Sequence, residues 1–201
     1  MKIIEKIKKT CRLCKNKNLV PVYDFQKSPI GDDYQEKRRK LPLFNLKVLM
    51  CKKCKFAQLS NVIDPNKVYG EYIYVTQTST GLVNHFSDML KYLQKKNYIN
   101  RETQVMEIGS NDGSLLNLLN DKTYFNVGVD PAVHLTENKN FICEKGLYSF
   151  EFSKKLKKKY HLFDVIIANN VIANIDNLNS IFRGIKNNLV ENGYFVMETF
   201  S

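Results

Sequence analysis

The run from Val105 to Gly113, Val-Met-Glu-Ile-Gly-Ser-Asn-Asp-Gly, constrains this chain more than any other stretch. Val105, Met106 and Ile108 predict a buried strand. Gly109 and Gly113 predict a tight turn with open space beside its backbone. Leu115, Leu116, Leu118 and Leu119 then supply the buried face of a helix. A second apolar run, Phe125 to Asp130, ends in an acid 17 residues past Gly113. Strand, glycine turn, helix and an acid at the tip of the next strand suit a nucleoside. The carboxylate accepts from the ribose hydroxyls, and the turn leaves room for the rest of the ligand. The plain alternative is a βα junction whose glycines serve packing alone. The turn lacks the third glycine of a dinucleotide fingerprint and carries Asn111-Asp112 instead. Carboxylate and amide groups suit a cationic or amino-bearing ligand better than a pyrophosphate, which needs bare N–H groups. The expectation is therefore S-adenosylmethionine (SAM) rather than NAD.

From about Thr103 onward, strands and helices alternate. Strands are expected near 104–108, 125–130, 140–143, 163–168 and 193–198. Helices are expected near 113–120, 132–138, 149–159 and 177–190. This alternation predicts an α/β fold with a parallel sheet and crossover helices. Upstream, a loop holding Tyr69, Tyr72 and Tyr74 leads into a helix over about 81–96. The first sixty residues show no sustained helical period, and Pro21, Pro29 and Pro42 punctuate short apolar runs. They read as a β-rich, loop-rich module. The expected organisation is a zinc-binding module over 1–62, a connector with a helix over 63–100, and the α/β domain over 101–201.

Two Cys-x-x-Cys pairs, Cys11/Cys14 and Cys51/Cys54, stand 36 residues apart. Each pair sets two thiolates on one side of a turn, and two pairs close a tetrahedral four-cysteine zinc site. No ligand position is left for water, so the expected Zn2+ is structural. Disulfides and redox pairs are the alternatives. A reducing compartment disfavours the first, and a redox pair normally opens a helix after a strand. Lys15, Lys52, Lys53 and Lys55 are expected to offset the site's negative charge. Cys143 is left over and is expected to be a buried free thiol in the third strand.

The formal net charge is +11. Lysine greatly outnumbers arginine, the residue that forks onto phosphates and reads bases, so nucleic acid is a weak expectation. An anionic small substrate suits the charge equally well. The run Lys154 to Lys159 reads as the solvated face and end of one helix. The longest apolar runs, such as Val165 to Ala168, are of strand length, so no membrane span is expected. The charged N-terminus does not read as a secretory signal, which makes a cytoplasmic location the default.

With these residues in view, the chain resembles the zinc-containing sugar-nucleotide C-methyltransferases, which use SAM to methylate a carbon of a deoxysugar. The resemblance runs in order through Cys11-Arg-Leu-Cys14, Leu41-Pro42-Leu43, Cys51-Lys-Lys-Cys54-Lys-Phe-Ala-Gln58-Leu59 and Tyr69-Gly-Glu-Tyr72-Ile-Tyr74. It continues through Thr78-Ser79, His85, Met106 to Gly113, Gly128-Val129-Asp130-Pro131 and Ala168-Asn169-Asn170-Val171-Ile172-Ala173. It implies the Rossmann-like sheet of class I methyltransferases, of which this chain holds the first five strands. It also implies SAM and a nucleotide-linked keto-deoxysugar as ligands. Glu107, Gly109, Asn111, Asp112, Gly113, Asp130 and Pro131 would then lie around SAM, and Asn169 and Asn170 near its methionine part. Tyr72 and Tyr74 would approach cofactor or sugar, with Tyr74 and His85 the candidates for chemistry. Plainer readings stand beside these. Tyr72 and Tyr74 suit one face of a strand, Asn169-Asn170 a helix cap, and His85 packing on a helix face.

Two departures qualify the resemblance. Asn174 stands where the family has a histidine, and asparagine takes up no proton near neutral pH. The family also keeps a Glu-His pair beyond the fifth strand and a sugar-binding domain after it, whereas this sequence finishes at Ser201. The expectation is a truncated form whose activity alone is in doubt and whose sheet a partner chain would complete. His134 and His161 read as surface residues, which leaves His85 as the base nearest the pocket. Two other functions compete: a non-catalytic SAM-binding remnant or subunit, and a zinc-ribbon nucleic-acid binder.

Overall fold

The computed structural model describes residues 5–31, 36–37, 40–70, 74–132 and 140–199. Its contacts divide the chain into two units, Met1–Ile73 and Tyr74–Ser201.

In the first unit, β1 (Glu5–Ile7) pairs antiparallel with β5 (Asn61–Ile63). β2 (Leu19–Ser28), β3 (Phe44–Cys51) and β4 (Ala57–Leu59) form a three-stranded antiparallel sheet with β3 in the middle. Pro21 is tolerated because β2 is an edge strand. The β2–β3 register slips at Pro21/Tyr23 and again between Asp24 and Lys27, where Gln26 has φ 67°. A short helix, α1 (Pro65–Tyr69), opens with Asp64 accepting from the Asn66 N–H at 3.0 Å. Among the described residues of this unit, the fully buried apolar side chains are those of Cys11 and Cys51. Val22, Tyr23, Phe25 and Leu43 stay exposed.

The second unit is a five-stranded parallel sheet built from β6 (Gln104–Ile108), β7 (Phe125–Asp130), β8 (Ile142–Lys145), β9 (Phe163–Asn169) and β10 (Leu189–Glu198). The spatial order is β10-β9-β6-β7-β8. The chain moves outward from β6 in one direction, then returns to build the other side. The crevice at the C-terminal ends of β6 and β9 is therefore the topological switch point, where open α/β sheets take their ligands. Val105, Met106, Ile108, Val127, Val129 and Val165 to Ala168 are buried, the continuous apolar reading of strands covered on both faces.

Among the described residues, four helices connect and cover the strands: α2 (Thr80–Lys95), α3 (Ser114–Leu118), α4 (Phe150–Lys159) and α5 (Leu178–Asn188). α2 buries Phe86, Leu90 and Leu93, spaced four and three apart, against Val105, Val165 and Ile167. Ser149 caps α4 by accepting from the Phe152 N–H at 3.1 Å, and Lys157, Lys158 and Lys159 fill its last turn. That placement of charge matches the helix dipole. Among the described residues no helix is long and apolar enough to cross a membrane.

Some elements differ from the sequence expectation. The fifth strand starts at Leu189, not near 193. It pairs with Phe163 there, breaks register, and resumes at Tyr194 opposite Val165. Asn192, at φ 64°, and Gly193 are a turn signal that the strand absorbs as a bulge. Cys143 lies in β8 as expected but is half-buried, because β8 is an outer strand of the sheet. The helix expected over 132–138 falls almost wholly outside the described residues, as do Tyr72 and His134.

Candidate functional site

The first unit's cysteines sit on two knuckles of the same shape. In one, the Lys15 N–H donates to the Cys11 carbonyl at 3.0 Å, and the Cys11 N–H donates to Asn16 O at 2.9 Å. In the other, Lys55 donates to the Cys51 carbonyl at 2.9 Å and Cys51 donates to Phe56 O at 2.9 Å. Lys15 and Lys55 hold left-handed backbone, φ 62° and 64°, to close these turns. The Cys11–Cys54 and Cys14–Cys51 sulfurs are each 3.6 Å apart, and all four lie within 4.8 Å of one another. A tetrahedron with metal–sulfur bonds near 2.3 Å has edges of about 3.8 Å, so the cluster has the size of one metal ion.

The two thiols of the second knuckle, Cys51 and Cys54, do not ionise alike. The Cys54 N–H draws the Cys51 thiol down to about 7. The Phe56 N–H also draws Cys54 down, but burial and the three neighbouring sulfurs push it up to about 12. A shared cation removes this conflict by holding all four as thiolates. Gln58, buried, ties the first knuckle down: its Oε1 accepts from the Arg12 N–H at 2.8 Å and its Nε2 donates to Thr10 O at 3.2 Å. Gln58 stood in the motif that carried the resemblance, but nothing in the sequence showed this role.

In the second unit, the turn after β6 has left-handed backbone at Gly109, Asn111 and Gly113, φ 77°, 50° and 75°. The turn is held from two sides. The Gly109 N–H donates to Val129 O at 2.7 Å, and the Asn111 N–H donates to Asp130 Oδ2 at 2.9 Å. From the other side it clamps the segment before α2. Asn111 Oδ1 accepts from the Thr76 N–H at 3.1 Å, and its Nδ2 donates to Tyr74 O at 2.9 Å. Asp112 Oδ2 accepts from the Gln77 N–H at 2.8 Å, while its Oδ1 accepts from the Ser114 N–H at 2.9 Å and hydroxyl at 2.7 Å. Both side chains thus have protein partners that sequence reasoning could not supply. They bring the backbone of Tyr74, whose side chain is partly exposed, beside the glycine turn.

A Cβ on Gly109 would lie 2.1 Å from Val171 Cγ2, so the turn after β6 presses on the turn after β9. Gly109→Ala is expected to destabilise this unit by about 2–4 kcal/mol, combining left-handed strain with overpacking. Gly81→Ala, in α2 with nothing within 4 Å of the added methyl, should be neutral or stabilising by up to about 1 kcal/mol. Denaturant unfolding of the two variants checks this contrast.

Asp130 closes β7. Its Oδ1 accepts from the Ala132 N–H at 2.7 Å, and its Oδ2 takes the Asn111 N–H. Pro131, half-buried, follows it. Glu107 is buried in β6, and its Oε2 has no hydrogen-bond partner. Burial first, then the charges of Asp130 and Asp112, hold its carboxyl well above the usual carboxylate range. Across the switch point, Asn169 Oδ1 and Asn170 Oδ1 are likewise buried without partners, as is Ser110 Oγ. The short 3-10 turn Ile172–Asn174 has no side-chain cap, so the capping reading of Asn169-Asn170 fails. Asn170 holds φ 56°, and its N–H donates to Glu198 O at 2.8 Å.

His85 is half-exposed on α2 rather than packed on a helix face, and its Nε2 lies 2.5 Å from Glu198 Oε2. One helical turn on, Met89 Sδ receives the Asn169 Nδ2 group at 4.0 Å. His161 is exposed.

Four of the orphaned polar atoms, from Glu107, Ser110, Asn169 and Asn170, therefore belong to the ends of β6 and β9 or the turns that follow them. Three of these four are acceptors that want donors. Buried polar groups left unpaired cost free energy, and a ligand bearing hydroxyl and ammonium groups would satisfy them. A pyrophosphate, which carries only acceptors and negative charge, would be repelled by Asp112 and Asp130.

Residues 78–201 match the family model described as "Methyltransferase domain", and residues 11–69 match "Putative zinc binding domain". The first match takes in more than half of the chain, and the chain belongs to the methyltransferase-domain family. Over 197 residues it is 24% identical to the C-methyltransferase NovU of Streptomyces niveus, covering 94% of this chain and 46% of that protein. The chain thus spans about half the length of this curated relative. Among solved structures it is similar to the YcgJ protein from Bacillus subtilis, with a TM-score of 0.46 and 17% identity over 57% of this chain and 50% of that one. It is also similar to the MycE methyltransferase of the mycinamycin biosynthetic pathway, with a TM-score of 0.42 and 17% identity over 57% of this chain and 34% of that one.

Proposed function

We propose that the chain is a SAM-dependent methyltransferase acting on a carbon of a nucleotide-linked keto-deoxysugar. On this reading residues 1–62 carry a structural zinc ion on Cys11, Cys14, Cys51 and Cys54, 63–100 connect, and 101–201 hold the cofactor. The observation that carries the cofactor reading is the set of orphaned acceptors at the switch point. SAM offers what they lack: a ribose diol, an ammonium group and a sulfonium charge.

Asp130 would accept from the ribose. Glu107, Asn169 and Asn170 would take the remaining donors, while Gly109 and Gly113 do not leave the expected open space: they let the turn pack against Val171 and Phe141. By the resemblance, Tyr72 and Tyr74 would approach cofactor or sugar. When bound, SAM supplies an electrophilic methyl group. The chain's own task is to exclude water, align the acceptor carbon and remove a proton beside the sugar's keto group. The substrate class rests on the likeness to NovU, and the high positive charge suits an anionic nucleotide sugar.

Calorimetry should show SAM binding at least tenfold tighter than NAD. Methyl-13C-labelled SAM and a 4-keto-deoxysugar nucleotide should give a product whose new methyl is bonded to carbon by NMR. Tighter NAD binding overturns the cofactor, and a methyl on oxygen or nitrogen overturns the reaction class.

A further inference from the structure

We propose that Asn111 and Asp112 are positioning residues. They fasten residues 74–77 to the glycine turn as one wall of the cofactor site and do not themselves touch the cofactor, an inference that rests on the SAM reading above. Asn111 Oδ1 accepts from the Thr76 N–H at 3.1 Å and from the Thr76 hydroxyl at 3.4 Å, which fills both lone-pair directions of that oxygen. Asn111 Nδ2 donates to Tyr74 O at 2.9 Å. Asp112 Oδ2 accepts from the Gln77 N–H at 2.8 Å, and its Oδ1 accepts from both the N–H and the hydroxyl of Ser114 at the start of α3. Little of either side chain is left for a ligand.

The backbone points the same way. Asn111 holds φ 50°, a conformation that glycine adopts most easily. The turn by itself therefore favours glycine at this position. Asparagine adds a side chain there, and that side chain reaches across to Tyr74 and Thr76, 37 and 35 residues away. Thr76 is buried, and its segment runs directly into α2, whose Phe86, Leu90 and Leu93 pack on the sheet.

Asn111 also meets the acid read as the ribose acceptor. Its N–H donates to Asp130 Oδ2 at 2.9 Å, so a single residue joins the tip of β7 to the segment before α2. A ligand held by Asp130 steadies Asn111, and Asn111 steadies residues 74–77. By linkage the coupling runs both ways, and the fastened segment holds the ligand longer.

The test follows amide hydrogen exchange by NMR in the full chain, with and without SAM. Asn111→Gly suits the left-handed backbone and removes the clamp, and it should speed exchange at the Thr76 amide by at least about tenfold. Asp112→Asn keeps an oxygen for Ser114 but turns its NH2 toward the Gln77 N–H, so it should speed exchange at Gln77. The amides of Val105 to Ile108 should keep wild-type rates in both variants, which shows that the sheet is intact. In the wild type, SAM should slow exchange at Thr76 and Gln77. In each variant SAM should dissociate about tenfold faster, with association within about twofold. Unchanged exchange at Thr76 and Gln77 in the variants overturns the clamp. Weaker SAM binding at unchanged exchange shows direct contact with the ligand, and faster exchange at unchanged SAM kinetics shows that the segment is no wall; either overturns the proposal. If the wild-type chain binds no SAM, the cofactor reading fails and the wall with it, while exchange in the free protein still decides the clamp.

Discussion

Cys14→Ser is expected to unfold the first unit and release its metal. Among the described residues, this unit fully buries only two apolar side chains, and both are sulfur-bearing members of the cluster, Cys11 and Cys51. The three-stranded sheet leaves Val22, Tyr23 and Phe25 exposed, so little else opposes chain entropy. A structural zinc site contributes on the order of 10 kcal/mol to folding, most of which vanishes when one thiolate is lost. Metal analysis should find about one equivalent in the wild-type protein and little in the variant. Limited proteolysis should cut the variant within the first 70 residues and spare 74–201, and SAM binding should be weakened rather than abolished. Less than about a tenth of an equivalent of metal in carefully purified wild-type protein would count strongly against the site.

Asp130→Ala should weaken SAM binding by about 30- to 100-fold, corresponding to about 2–3 kcal/mol for lost charge-assisted hydrogen bonds to the ribose. Asp121→Ala should change it by less than about twofold, since Asp121 is exposed. Asp130 also fastens the N–H groups of Asn111 and Ala132, so the alanine variant loosens the turn as well. Asp130→Asn keeps one of the two acceptors that fasten the turn and removes the charge, and it should fall between wild type and alanine in affinity. Calorimetry on all three variants gives the comparison, and equal losses for Asp121→Ala and Asp130→Ala would remove Asp130 from the site.

The strands were legible because a parallel strand covered on both faces is apolar almost throughout, as Val165 to Ala168 is and as Val105 to Ile108 is apart from Glu107. α2 was legible because Phe86, Leu90 and Leu93 repeat at the helical period. The start of β10 was not legible, since Asn192-Gly193 reads as a turn until a neighbouring strand absorbs it as a bulge. Nor could the sequence show that Asn111 and Asp112 spend their hydrogen bonds on residues 74–77 and Ser114. Both residue types suit a ligand as well as a backbone N–H, and only packing decides which arrives first.

Periodicity, turn chemistry and cysteine spacing are local properties, and they alone determined the alternating α/β domain, the glycine turn with its distant acid, and the four-sulfur cluster. Tertiary structure decided everything that depends on two remote segments meeting. It placed Gly109 against Val171, left the acceptors of Glu107, Asn169 and Asn170 buried without partners, and set Glu198 on His85. A side chain's partner across the sheet is fixed by strand order and register, and neither is written in the neighbouring residues.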